Sequence, residues 1–261
     1  MFRLVTLNLN GIRSAADKGF LEWAAQTGAD CMGVQEIKAQ ADQVAGRFER
    51  VAGMDGHFHF AEKKGYSGVG LYTGKAPSAV IVGFDPAEFD AEGRYVETRW
   101  DTARRKFSVI SGYFPSGSSG EERQAAKYRF LARLYPHLMK LRGEREFILV
   151  GDVNIAHQAI DLKNWRGNQK NSGFLPEERA WMTKLLTEGG LVDVFRTLNA
   201  QPEQYTWWSN RGQAWAKNVG WRLDYHLATP AIAAKARREA IYLDQRFSDH
   251  APVTVEYALT L

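Results

Sequence analysis

Apolar and polar residues alternate with a period of two in several short stretches, the spacing of strands with one buried face. Phe2 to Leu9 shows it first, and Asp30 to Glu36 reads as a more fully buried strand. Gly68 to Tyr72 and Ala79 to Val82 follow. Tyr95 to Trp100 and Lys106 to Tyr113 predict a hairpin about Asp101-Thr102. Phe147 to Val150, Trp221 to Ala228, Ala240 to Leu243 and Pro252 to Tyr257 complete the strand set. Longer periods near 3.6 lie between them. Gly19 to Gln26, Gln40 to Phe48 and Glu121 to Leu141 are the clearest predicted helices. In the last, Tyr128, Leu131, Leu134, Tyr135 and Leu138 share one face, and Pro136 is expected to kink or tighten it. Pro176 followed by Glu177 and Glu178 is a helix start, with acids at the positive end of the dipole. Many strands with a few long helices predict an α/β chain of stacked sheets covered by helices. No Pro- or Ser-rich linker and no repeat divides it, so one domain over residues 1–261 is expected.

Composition narrows the classes. With 44% hydrophobic and 25% charged residues the chain is globular rather than disordered. No apolar run approaches the ~20 residues of a membrane helix, and the N-terminus lacks the apolar core of a secretory signal. The single cysteine, Cys31, rules out an intramolecular disulfide and a cysteine zinc site. It reads as a small buried hydrophobe and suits a reducing, cytoplasmic setting. A net charge of +4 permits a polyanionic partner without requiring one.

Polar residues recur where predicted strands end, at Asn8 and Asn10, Gln35-Glu36, and Asp152 and Asn154; Asp224 lies in a late strand, and Ser248-Asp249-His250 precedes the last. If they converge on one rim, their oxygen donors suit a hard cation, Mg²⁺ or Mn²⁺. The other reading is that each is a turn or cap residue. The histidines include no H-E-x-x-H, and His57-x-His59 reads as surface packing on one strand face. No P-loop, dinucleotide fingerprint or G-x-S-x-G elbow occurs.

Several motifs together carry a family resemblance: Leu7-Asn8-Leu9-Asn10-Gly11-Ile12-Arg13, Gln35-Glu36, Gly112-Tyr113-Phe114-Pro115, Gly151-Asp152-Val153-Asn154, Asn171 to Arg179, Asn218 to Tyr225, and Ser248-Asp249-His250. In this order they are similar to those of the exonuclease III-type AP endonucleases, of the endonuclease/exonuclease/phosphatase superfamily, and span essentially the whole chain. The chain looks like a bacterial-type catalytic core. The resemblance implies a four-layer αββα sandwich of two packed, mainly antiparallel or mixed sheets. It implies a Mg²⁺-dependent nuclease that cuts 5′ to an abasic site, leaving a 3′-hydroxyl and a 5′-deoxyribose phosphate, with 3′→5′ exonuclease and 3′-phosphatase side activity. The alternatives are mainly 3′-end processing, a phosphatase of the same superfamily acting on inositol phosphates or lipids, and a DNA-binding module without activity.

The resemblance also assigns roles. Glu36 is the principal metal ligand, with Asn8, Asn10, Asp249, Asp152 and Asn154 near the ion. Tyr113, Asn154 and His250 surround the scissile phosphate. Asp152 lies against the attacking water, and Asp224 holds His250; which of Asp152 and His250 is the general base stays open. Asn164, Asn168 and Asn171 contact DNA. Trp207, Trp221 and Leu223 wall a slot for a base-free sugar, with Gly173 either keeping space beside it or serving as a plain turn glycine. The partner implied is double-stranded DNA with abasic sites or blocked 3′ ends, bound by a monomer. The run Lys163 to Asn171 is expected to supply phosphate contacts, and Arg104-Arg105-Lys106 reads equally as a further phosphate contact or as a solvated face. Ser116, Trp207 and Asn10 depart from residues common in the family.

Overall fold

In the computed structural model, which describes residues 1–261, the elements follow in the order β1 (Phe2–Asn8), α1 (Ile12–Asp17), α2 (Phe20–Gln26), β2 (Cys31–Gln35), α3 (Ala41–Val44), β3 (Arg50–Val51), β4 (Met54–His59), β5 (Val69–Thr73), β6 (Ala79–Val82), β7 (Tyr95–Asp101), β8 (Lys106–Tyr113), α4 (Glu121–Glu144), β9 (Glu146–Asp152), α5 (Pro176–Thr187), β10 (Val192–Asp193), α6 (Val194–Leu198), β11 (Trp207–Trp208), β12 (Gly220–Trp221), β13 (Asp224–Ala228), α7 (Pro230–Ala233), β14 (Ala236–Ile241) and β15 (Val253–Tyr257). One sheet has the order β14-β15-β1-β2-β5-β4-β3, the other β10-β13-β9-β8-β7-β6, and β11-β12 forms a small ribbon. Each large sheet is antiparallel except for one central parallel pair, β1 with β2 and β8 with β9.

Strand alternation builds the layers. Phe2 and Leu4 of β1 and Ile148 and Val150 of β9 meet in the core between the sheets. Val5 and Leu7 of β1 face the other way and pack under α1 and α2. Phe147 and Leu149 of β9 pack under α4 and α5. Three apolar cores separate four layers, the αββα sandwich expected. No helix is long and apolar enough to cross a membrane. Cys31 is fully buried in the core between the sheets.

Several expected boundaries move. Trp221 to Ala228 is two strands, because Arg222 leaves the ladder to send its buried guanidinium to Asp161 (2.8 Å) and Asp193 (2.6 Å). The helix expected over Gln40 to Phe48 is only Ala41–Val44, ended by extended backbone at Ala45 and left-handed Gly46. The strand expected over Ala240 to Leu243 ends at Ile241, leaving Leu243 exposed. Helix α4 runs on through Pro136 to Glu144, held by Leu131, Leu134, Leu138 and Leu141 against the second sheet. His57 and His59 are not surface packing as a pair: His59 is buried, its Nδ1 2.8 Å from the Tyr95 carbonyl, and His57 Nε2 lies 3.1 Å from Thr73 Oγ1.

Candidate active site

The two central parallel pairs bring their C-terminal ends to one rim. Asn8 stands beside Gln35 in register, and Tyr113 beside Asp152. Even-numbered positions of both β1 and β9 face the gap between the sheets, so Asn8 and Asp152 point at each other across it. The Asn8 amide spans that gap, with Nδ2 donating to Asp152 Oδ2 and to Glu36 Oε1, both at 2.9 Å. Glu36, Asn10 and Asn154 each follow a strand end with φ of +48°, +45° and +55°. Left-handed backbone at non-glycine residues costs roughly 1–3 kcal/mol each and recurs at functional sites. Here it turns the side chains back over the rim.

Across the second sheet, Asp224 pairs in register with Asp152. His250 Nδ1 lies 2.9 Å from Asp224 Oδ2, and its Nε2 3.8 Å from Asp152 Oδ2. Asn154 donates to Asp152 from both its backbone N–H (2.9 Å) and its side-chain amide (3.2 Å). Burial pushes Asp152 up to about 7, aided by Asp224 and Glu36 and opposed by His250 and Asn8. Burial opposes charge on His250, but Asp224 and then Asp152 outweigh it and push the imidazole up to about 10. Burial likewise raises Glu36, yet Lys38 and Asn8 hold its carboxyl below its ordinary range. Tyr113 is buried under the Arg94 guanidinium, 4.7 Å from the ring centroid, and its phenol is raised by burial and by Glu36.

The donor set suits a divalent cation. Ligand atoms of Glu36, Asp152 and His250 lie within 4.8 Å of one another. Beside them the Lys38 ammonium sits 2.9 Å from Glu36 Oε2 and 2.5 Å from Asn10 Oδ1, so this oxygen cradle already attracts positive charge. Carboxylate and amide oxygens favour a hard ion over zinc. Asp249 lies outside that trio: Oδ1 accepts from Asn10 Nδ2 (2.9 Å) and Oδ2 from Trp207 Nε1 (3.0 Å). The Asn8 amide oxygen is taken by the Asn10 N–H at 3.0 Å.

A cleft of about 240 Å³ joins this cluster to an apolar slot. Glu36, Tyr113, Asp152, Asn154 and His250 line one end, and Gly173, Trp207, Trp221 and Leu223 the other. Trp207 and Trp221 are cross-strand partners whose rings meet edge to face, 6.4 Å between centroids. Gly173 has φ +93°, and a Cβ there would stand 3.2 Å from both the Asn154 carbonyl oxygen and the Trp221 ring. Of the three asparagines, Asn171 reaches the cleft. Asn164 and Asn168 lie on the shoulder beyond it, linked by Asn168 Nδ2 to Asn164 O (3.0 Å) and Asn171 Nδ2 to Asn168 Oδ1 (2.8 Å).

Arg104 to Lys106 do not join them. They lie at the start of β8, whose far end carries Tyr113, and seven strand steps from Lys106 to Tyr113 separate the rims by about 23 Å. Parallel β8 and β9 both run away from that cationic loop, so it cannot reach a phosphate held at Asp152. Sequence reasoning also passed over Lys38, Arg94 and Lys127. The spacing Glu36-x-Lys38 was a usable signal for the first; the other two look like ordinary surface charges until folded.

The profile described as "Endonuclease/Exonuclease/phosphatase family" matches residues 5–250. An exodeoxyribonuclease of Bacillus subtilis is 35% identical over 96% of this chain and 97% of its own. The DNA repair nuclease APEX1 of Danio rerio is 34% identical over 98% of this chain and 82% of its own. The solved AP endonuclease of Archaeoglobus fulgidus superposes with a TM-score of 0.88 at 27% identity, covering 99% of this chain and all (100%) of that one. The chain belongs to the endonuclease/exonuclease/phosphatase family.

Proposed function

We propose that this protein is a DNA repair nuclease that hydrolyses the phosphodiester bond 5′ to an abasic site in duplex DNA, leaving a 3′-hydroxyl and a 5′-deoxyribose phosphate. Mg²⁺ is its metal, with Mn²⁺ a substitute, and it acts as a monomer in the cytoplasm. The observation that carries the reading is the cleft itself, where a small aromatic slot opens beside the acidic, histidine-containing end. The nuclease relatives from Bacillus subtilis and Danio rerio support it.

In this reading the slot of Gly173, Trp207, Trp221 and Leu223 receives the base-free sugar. A normal nucleotide carries a base the slot has no room for, and an abasic residue costs less to unstack. Asn171, with Asn164 and Asn168 on the shoulder, holds the strand through its backbone. Asp152, aligned by Asn8 and Asn154, orients the attacking water and takes its proton. His250, whose Nδ1 is committed to Asp224, presents Nε2–H to a phosphoryl oxygen, and the Tyr113 phenol donates to the same group. The water oxygen bonds to phosphorus as the bond from phosphorus to the upstream 3′ oxygen breaks; the water's proton goes to Asp152, and the leaving 3′ oxygen takes up one proton from solvent to become the 3′-hydroxyl. A divalent ion held by Glu36 and Asp152, with Asn10 and Asp249 beside it, supplies Lewis-acid neutralisation of phosphoryl charge when bound. A positioned base contributes only about 10²–10⁴-fold, so oriented donors and the ion carry most of the acceleration. Terminal 3′ phosphates need only the acidic end of the cleft, which accounts for 3′-phosphatase and exonuclease side activity.

The test is a labelled duplex with one central abasic analogue beside a matched duplex with a recessed 3′ end. Each is incubated with protein plus Mg²⁺, protein plus EDTA, and His250→Ala plus Mg²⁺. Incision 5′ to the abasic site that needs both Mg²⁺ and His250 is the expected result. Reaction confined to the 3′ end would move the function to end processing, and no reaction on either would sink the nuclease reading.

A further inference from the structure

The Asn154 corner and the Gly173 wall are tied together by an ion pair that touches no substrate. Lys127 of α4 and Glu178 of α5 are both fully buried, with Nζ 2.7 Å from Oε1. A glutamate at the third position of a helix ordinarily reaches back to the N–H of the residue preceding the helix. Glu178 does this at Leu175 (3.0 Å) and then does more. Its Oε2 also accepts the Gly173 N–H at 2.7 Å, and its Oε1 accepts from Gln124 Nε2 at 3.1 Å. Lys127 Nζ donates onward to the carbonyl oxygen of Asn154 at 2.7 Å. The Gly173 carbonyl accepts from the Ala156 N–H at 2.8 Å, closing a ring that runs through both walls of the cleft.

Capping α5 requires only the Leu175 bond. A buried ion pair adds little net stability over an apolar pair of similar volume, because desolvation offsets the attraction. Neither helix capping nor stability accounts for the bonds from Lys127 to Asn154 O and from Gly173 N–H to Glu178, and these two end on backbone atoms that flank the slot. The space between these walls is narrow: a Cβ added to Gly173 would stand 3.2 Å from Asn154 O and from Trp221.

We propose that Lys127 and Glu178 are positioning residues that set the width of the slot against Trp221, and with it the preference for a base-free sugar over a terminal phosphate. The inference rests on the abasic-site reading above. Glu178→Asp keeps the charge but shortens the side chain, so one carboxylate no longer spans Gly173 and Lys127 together. The paired variant Lys127→Met with Glu178→Gln removes both charges at once and leaves no unpaired buried ion. Two rates are read from one preparation: kcat/KM for incision at an abasic analogue, and kcat/KM for removal of a 3′ phosphate at a nick. Thermal unfolding is recorded alongside.

The ratio of the two rates is expected to fall about tenfold in each variant, the scale of a misfitted pocket contact. A pair that merely held the fold would lower the melting temperature and scale both rates together. A ratio changed less than threefold in Glu178→Asp, the milder variant, overturns the inference alone, whether or not the paired variant folds. A wild-type protein that does not cut the abasic duplex overturns the functional reading and this inference with it.

Discussion

His250 is clamped between carboxylates from two neighbouring strands, with Nδ1 2.9 Å from Asp224 Oδ2 and Nε2 3.8 Å from Asp152 Oδ2. Asp224 is buried and does not line the cleft, so its influence passes through the ring. Asp224→Asn keeps the shape and removes the charge that sustains the imidazolium. Single-turnover incision is expected to slow by about 10²–10⁴-fold, the usual worth of a positioned acid or base, with DNA affinity little changed. A rate within threefold of wild type would remove Asp224 from the machinery.

Glu36 supplies the negative charge in the cradle it shares with Lys38 and Asn10. Glu36→Gln preserves the hydrogen bond from Asn8 but removes a negative charge that attracts a dication. The Mg²⁺ concentration for half-maximal activity should rise by at least the ~10–100-fold that losing even an outer partner costs. Mg²⁺ stabilises whatever state binds it, so the Mg²⁺-induced rise in melting temperature should shrink as well. An unchanged Mg²⁺ titration by both readouts would place the ion elsewhere.

Much of this was legible before folding. Period-two alternation located β1 and β8, and strand ends carrying Asn8, Glu36, Asp152 and Asp224 are brought to one rim by two parallel pairs. What was illegible depended on partners far along the chain. Lys127 falls at a charged position of an amphipathic helix, and its burial is decided by Glu178, fifty-one residues later. The hairpin expected about Asp101-Thr102 forms with its turn at 102–105, Asp101 pairing with Lys106, but the rim that carries Arg104 to Lys106 is set by β8 running parallel to β9, which no local pattern encodes. Arg222 broke an apparently continuous strand because two distant aspartates, Asp161 and Asp193, needed a buried cation. The short strand β4 escaped because His57 and His59 face inward as polar groups, satisfied by Thr73 and by the Tyr95 carbonyl.

Gly173 offers a direct test of the slot. Its φ of +93° is a conformation side chains rarely adopt, and any Cβ would press on Asn154 O and Trp221. Gly173→His fills the space meant for the sugar while leaving Glu36, Asp152 and His250 untouched. Abasic incision should fall at least tenfold, on the scale of a pocket mismatch, while 3′-phosphate removal is retained. Equal incision of an abasic duplex by the variant would mean the sugar binds elsewhere.

Stability should carry an acid-sensitive signature from a histidine remote from the cleft. His226 is fully buried between the sheets, with Nδ1 3.1 Å from the Tyr257 hydroxyl, and burial pushes it down to about 3 from an ordinary 6.5. Between those values the unfolded chain binds a proton there that the folded chain excludes. Stability therefore falls as pH drops below about 6.5, by up to tenfold in the unfolding constant per pH unit, and is unaffected by this group above it. His226→Gln retains an acceptor for Tyr257 and removes the titration. Urea unfolding at pH 7, 6 and 5 should show the variant less stable at pH 7 but losing stability less steeply on acidification, by nearly one proton. Other acid-labile groups are common to both proteins and cancel in the difference. Parallel slopes for the two proteins would show that His226 is protonated in the folded state.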